Sequence, residues 1–132
     1  MGAYSPSRLI NKELDGKIIE KIIKPTLKGL QDQNIKYKGF LYAGLMIVNN
    51  EPYLIEYNVR MGDPECQTIL PMLYTDLLEI IESTIDEKLE NIEIQWLGKK
   101  SLWVVLCYNG YTYHYEKNIE IKKFNKINLY KN

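Results

Sequence analysis

From Glu56 to Glu65 the chain reads Glu-Tyr-Asn-Val-Arg-Met-Gly-Asp-Pro-Glu, a run of side chains able to do chemistry together. If it begins as a β-strand, side chains alternate faces with period two. Tyr53, Ile55, Tyr57 and Val59 then point one way, and Leu54, Glu56, Asn58 and Arg60 the other. A carboxylate, an amide oxygen and a guanidinium would line one face, about 6–7 Å between successive members. Glu56 and Asn58 offer hard oxygen ligands that suit Mg²⁺ held jointly with nucleotide phosphates. Arg60 offers a planar, always-charged fork of donors suited to a phosphate or a developing acyl phosphate. The same alternation describes a half-exposed strand with one solvated polar face, and spacing alone leaves both readings open.

The rest of the composition narrows the field mostly by exclusion. Seventeen Lys+Arg balance seventeen Asp+Glu, so no net charge recruits nucleic acid or an anionic membrane. Only Arg8 and Arg60 are arginines. Cys66 and Cys107 are too few and too far apart for a disulfide framework or a zinc site, and read as buried free thiols of a reducing compartment. His114 is the single histidine, which excludes a histidine-built metal site and disfavours a Ser-His-Asp triad. The opening MGAYSPSRL lacks the layout of a signal peptide, and no apolar run approaches the ~20 residues of a membrane span. A cytoplasmic protein is expected.

The elements that must position the central run follow from periodicity. At 132 residues, 45% apolar and 26% charged, the chain suits one soluble domain. Residues 1–11 read as irregular. From Lys12 to Asp32, Ile18, Ile19, Ile22, Ile23, Leu27 and Leu30 recur at helical spacing, with Pro25 imposing a kink or two abutting helices. Residues 37–48 read as a mostly buried strand, Asn49-Asn50 as a hairpin turn, and residues 53–60 as the returning strand. After a tight loop at 61–64, helical pattern resumes over 65–73. Thr75 then caps a helix carrying Leu77, Leu78, Ile81, Ile85 and Leu89. Residues 92–96 and 101–108 read as strands, the latter apolar enough for the centre of a sheet, and 119–131 as one or two short strands.

Several of these stretches, in order and spacing, resemble the phosphoribosylamine–glycine ligase family of the ATP-grasp superfamily. They are MGAYSP at 1–6, Lys24-Pro25-Thr26, GFLYAGLM at 39–46, IEYNVRMGDPECQ at 55–67 and TDLLE at 75–79. The family's E-[FY]-N-x-R-x-G-D-P-E stretch is complete from Glu56 to Glu65, and the likeness runs over roughly residues 1–117. The resemblance implies an α+β, ATP-grasp-like antiparallel sheet with packed helices, incomplete relative to the family. Residues 1–98 would be the second half of the ATP-grasp core and 99–132 the start of a C-terminal domain. It implies ATP and Mg²⁺ or Mn²⁺ as cofactors, with glycine and phosphoribosylamine as substrates in purine synthesis. Glycine's carboxylate would be phosphorylated to an acyl phosphate, from which an amine displaces phosphate. Glu56 and Asn58 would be the metal ligands. Arg60 and Asp63 would stand at the phosphoryl-transfer or substrate end, and Gly62 would let the backbone approach a ligand.

Gly44-Leu45-Met46 stands where many other ATP-grasp enzymes carry another acidic ligand, which is normal for the family it resembles and sets the chain apart from biotin-carboxylase-like relatives. Thr112 and Asn118 depart from the family, replacing a proline and a glycine. The family's adenine-gripping lobe would precede Met1, so a separate chain carrying that half is an expected partner. The rivals are a non-catalytic remnant or split-gene fragment of that enzyme, and a subunit of a different carboxylate–amine ligase.

Overall fold

The computed structural model describes residues 1–115 and 117–120. The order is β1 (Gly2–Ser5), α1 (Lys12–Ile18), a π-helical segment (Ile19–Ile23), α2 (Lys24–Asp32), β2 (Tyr42–Val48), β3 (Glu51–Asn58), α3 (Glu65–Ile69), α4 (Leu77–Ile85) and β4 (Ser101–Val104), with 3₁₀ turns at Leu70–Met72 and Leu89–Asn91. Runs of helix combined with small antiparallel strand pairs give the α+β class. The strands form two separate pairs, β1 with β4 and β2 with β3.

The helix expected from Lys12 to Asp32 is continuous, and it passes Pro25 by way of a widened π turn between two α-helical stretches. Asn11 caps its start, the side chain accepting from the Leu14 amide at 2.9 Å. Proline lacks an amide hydrogen and its ring presses on the carbonyl four residues back. One π turn ahead of it, in which the Lys24 amide reaches the Ile19 carbonyl, relieves that pressure.

Asn49 and Asn50 both take positive φ, 51° and 60°, the geometry of a two-residue hairpin turn that matches strand twist. The hairpin tip is tied to α1. Lys17 Nζ donates to the Asn50 carbonyl (3.1 Å) and the Glu51 carboxylate (2.8 Å), and Lys21 reaches Glu51 at 2.5 Å. β2 begins at Tyr42 rather than residue 37, because Gly39 at φ 128° breaks extended pairing ahead of it.

Several other expectations are corrected. Residues 2–5 are not irregular; they pair residue for residue with 101–104. The strand expected at 101–108 stops at Val104 and is not central: Leu102 and Val104 are 73% and 56% exposed. Among the described residues it pairs with β1 alone, and the short α3 packs against this two-stranded sheet without covering all of its apolar side chains. Residues 92–96 make just one bridge, Leu73 to Trp96. The helix after the central loop ends at Ile69, since Pro71 cannot continue it. Asp76, not Thr75, caps α4 by accepting from the Leu78 amide at 2.7 Å, while Thr75 Oγ1 accepts from the Gln95 amide. Leu89 lies beyond that helix, in a 3₁₀ turn. Cys107 is exposed and Cys66 half-buried, so neither is a core thiol. Thr112 and Asn118 both take positive φ, 82° and 62°, so the departures from the family fall on turn positions. Residues 121–131 of the strands expected at 119–131 lie outside the described residues.

The core is thin. Among the described residues Leu14 is fully buried, Thr68 nearly so, and Ile22, Met72 and Ile80 are the other tightly enclosed side chains, with Pro52 and Pro64 at their margins.

Candidate functional site

β3 carries Glu56 and Asn58, and the loop after it carries Arg60, Gly62 and Asp63. Its register against β2 pairs Tyr42 with Asn58, Ala43 with Tyr57 and Gly44 with Glu56, then slips to Leu45 with Leu54. Ile55 is therefore the extra residue of a β-bulge. One face holds Tyr42, Gly44 and Met46 with Asn58, Glu56 and Tyr53. The other holds Ala43 and Leu45 with Tyr57 and Leu54. The bulge corrects the simple alternation: Tyr53, not Leu54, shares the face of Glu56. It lies ahead of Glu56, so Glu56 and Asn58 stay together, and Asn58 Nδ2 donates to Glu56 Oε1 at 2.8 Å.

Arg60 is not on that face by register, because β3 ends at Asn58 and the chain bends there. Its guanidinium is exposed and donates to the Met61 carbonyl at 2.9 Å. Asp63 is also exposed, accepting from Gln67 Nε2 at 2.9 Å. Gly62 is buried, and its carbonyl accepts the Cys66 amide at 2.9 Å to open α3. A Cβ at Gly62 would collide with the Glu65 carboxylate and stand 3.1 Å from Glu65 Cβ. Absence of a side chain there lets Glu65 fold back over the loop.

Glu65 and Tyr42 are the neighbours that sequence reasoning did not single out. Burial pushes the Tyr42 phenol above its ordinary pKa of 10.0, and the nearby Glu65 and then Glu56 carboxylates push it further. Tyr42, Glu56 and Glu65 thus gather at the Asn58 end of the hairpin. Glu65 closes the quoted stretch and could have been weighed with the rest; Tyr42 had no signal beyond its strand.

The donor set can be tested against a divalent cation. Among the described residues no three Asp, Glu, His or Cys side chains converge to hold a metal by themselves. Mg²⁺ does not require that: it commonly takes one or two protein oxygens and completes its shell with phosphates and water. Among the described residues Glu56 keeps a free carboxylate oxygen, and Asn58 keeps its amide oxygen while its nitrogen is spent on Glu56. The pair fits a jointly held metal and not an all-protein cage.

Residues 1–66 match the family model described as phosphoribosylglycinamide synthetase, ATP-grasp (A) domain. The chain belongs to that family. The matched span ends one residue past Glu65 and so takes in the whole candidate site. Similar curated proteins carry the corresponding names. The chain is 44% identical over 127 residues to the phosphoribosylamine–glycine ligase of Caldanaerobacter subterraneus, covering 96% of this chain and 30% of that protein. It is 40% identical to the Fusobacterium nucleatum ligase with the same two coverages. It is 42% identical over 125 residues to the human trifunctional purine biosynthetic protein adenosine-3, covering 94% of this chain and 12% of that protein. This chain of the ATP-grasp (A) domain family therefore spans about 30% of the length of its bacterial relatives. No helix among its described residues is long and apolar enough to cross a membrane.

Proposed function

We propose that this chain supplies the metal- and ATP-phosphate-binding part of a phosphoribosylamine–glycine ligase. That enzyme would convert ATP, glycine and phosphoribosylamine to glycinamide ribonucleotide, ADP and phosphate, in the cytoplasm. The observation that carries the reading is the Glu56–Asn58 pair, joined by a 2.8 Å hydrogen bond on one face of the hairpin, inside the span that matches the family.

Glu56 and Asn58 would hold Mg²⁺ or Mn²⁺, which when bound neutralises phosphate charge. Arg60, free of any carboxylate partner among the described residues, would turn its donors to the transferring phosphoryl group or the acyl phosphate. Asp63 would stand at the substrate end of the same loop. Gly62, with no side chain of its own, would let the loop backbone approach a phosphate oxygen once Glu65 moves aside. Positioning and charge neutralisation are most of what phosphoryl transfer asks of a protein. Residues 1–98 would then be core, and 99–132 the start of a following domain.

The short span relative to the bacterial relatives favours a second reading, a non-catalytic fragment of that enzyme. The nucleotide must be clamped and shielded from water for such chemistry. The purified chain alone should therefore show no ADP release dependent on glycine and phosphoribosylamine. Turnover should appear when a separate chain carrying the N-terminal half of the family's core is added. Turnover by the chain alone contradicts the proposed division of the core. No turnover in either case favours the fragment.

A further inference from the structure

Tyr57 stands between Glu56 and Asn58 in the chain and on the opposite face of β3. Its hydroxyl lies 2.7 Å from Thr26 Oγ1 and 3.4 Å from the Ile22 carbonyl, and Thr26 Oγ1 itself donates to that carbonyl at 2.8 Å. Ile22 belongs to the π-helical segment, and Thr26 follows Pro25. The three groups are half-buried or buried, so their hydrogen bonds are sheltered from competing water. This is where the widened helix meets the strand between its two oxygen ligands. Because the bulge at Ile55 interrupts the ladder just before Glu56, pairing with β2 alone fixes this part of β3 less firmly.

We infer that the Tyr57 hydroxyl, held by Thr26 and the Ile22 carbonyl of the π turn, is a positioning device that sets Glu56 and Asn58 for their cation. The inference rests on the proposed metal role of that pair. Outer-shell groups that orient ligands typically change metal affinity about 10–100-fold when removed. Acting through the backbone, the loss here should fall near the lower end, about tenfold.

The test uses the full chain with Mn²⁺ as the probe, titrated by electron paramagnetic resonance in the presence of ATP. Tyr57→Phe and Thr26→Val should each weaken Mn²⁺ binding about tenfold, while Thr26→Ser, which keeps the hydroxyl, restores it. Thr84→Val removes a similar hydroxyl-to-carbonyl bond in α4, to Ile80 at 2.7 Å, and should leave Mn²⁺ affinity unchanged. A metal-free readout accompanies it: the side-chain amide resonances of Asn58 should shift in Tyr57→Phe and Thr26→Val but not in Thr84→Val. Unchanged Mn²⁺ affinity and unchanged Asn58 resonances in the first two variants, with binding lost in Glu56→Gln, overturn the inference alone. Binding unaffected even by Glu56→Gln would overturn the metal reading beneath it.

Discussion

Replacing Gly62 by alanine perturbs the loop at its tightest point. The new Cβ would meet the Glu65 carboxylate, with Glu65 Cδ at 3.0 Å and Cβ at 3.1 Å, and Gly62 is buried. Its φ is outside the left-handed region, so the backbone itself accepts alanine. The cost is therefore steric. Overpacking of this kind runs to about 1–3 kcal/mol, and the stiffer unfolded chain returns about 0.4–1 kcal/mol. A net loss of about 1 kcal/mol follows, because the carboxylate is the movable end of a flexible side chain and can swing away. The cycle with Glu65→Ala isolates the cause. With the carboxylate gone only the 3.1 Å contact to the Cβ of residue 65 remains, so Gly62→Ala should cost clearly less, the difference being a coupling of about 0.5 kcal/mol or more by urea denaturation. Spectrophotometric titration of Tyr42 adds an independent check. In Gly62→Ala its phenol should fall toward the ordinary value, since Glu65 no longer sits beside it. Equal destabilisation by Gly62→Ala in both backgrounds would refute the collision and the fold-back of Glu65.

Leu14→Ala empties the one large apolar side chain that is wholly enclosed among the described residues, and should cost about 3 kcal/mol, seen as an early, less cooperative thermal transition. Glu51 is held at about 2, chiefly by hydrogen bonds from Lys17 and then Lys21, well below its ordinary 4.5. A depressed carboxylate contributes fully above its ordinary value and loses that contribution as pH falls from about 4.5 toward 2. Carboxyl carbon resonances followed by NMR should place the Glu51 inflection near 2, and Lys17→Met should move it upward; an inflection at 4.5 in the unmodified chain would refute the tie between hairpin and α1.

What the sequence disclosed, and what it hid, separates by range. The Asn49-Asn50 turn was legible because two asparagines tolerating positive φ determine a hairpin locally. The shared face of Glu56 and Asn58 was legible because two residues of unbroken strand suffice for it. The slip at Ile55 was not, since a bulge depends on which residues of the partner strand are opposite. β1 escaped because Gly2–Ser5 has little strand character and its partner lies about a hundred residues away. Arg60 was placed on the face by extending alternation past Asn58, where the chain in fact bends. Thr75 reads locally as a cap, and the Gln95 amide and Glu93 carbonyl, far along the chain, show where its hydroxyl is engaged instead. Pro25 announced a disturbance of the helix, but a kink and a π turn answer the same missing hydrogen bond and look alike in sequence.

If Glu56 and Asn58 together hold a divalent cation against ATP phosphates, removing the Glu56 charge must weaken that hold. Mn²⁺ titration of the chain with ATP present, comparing the unmodified protein with Glu56→Gln, reads this out. Glutamine keeps the shape and the capacity to accept from Asn58 while removing the negative charge. The account predicts at least about a tenfold loss of Mn²⁺ affinity with the thermal midpoint preserved. Equal affinity in the two proteins would contradict it.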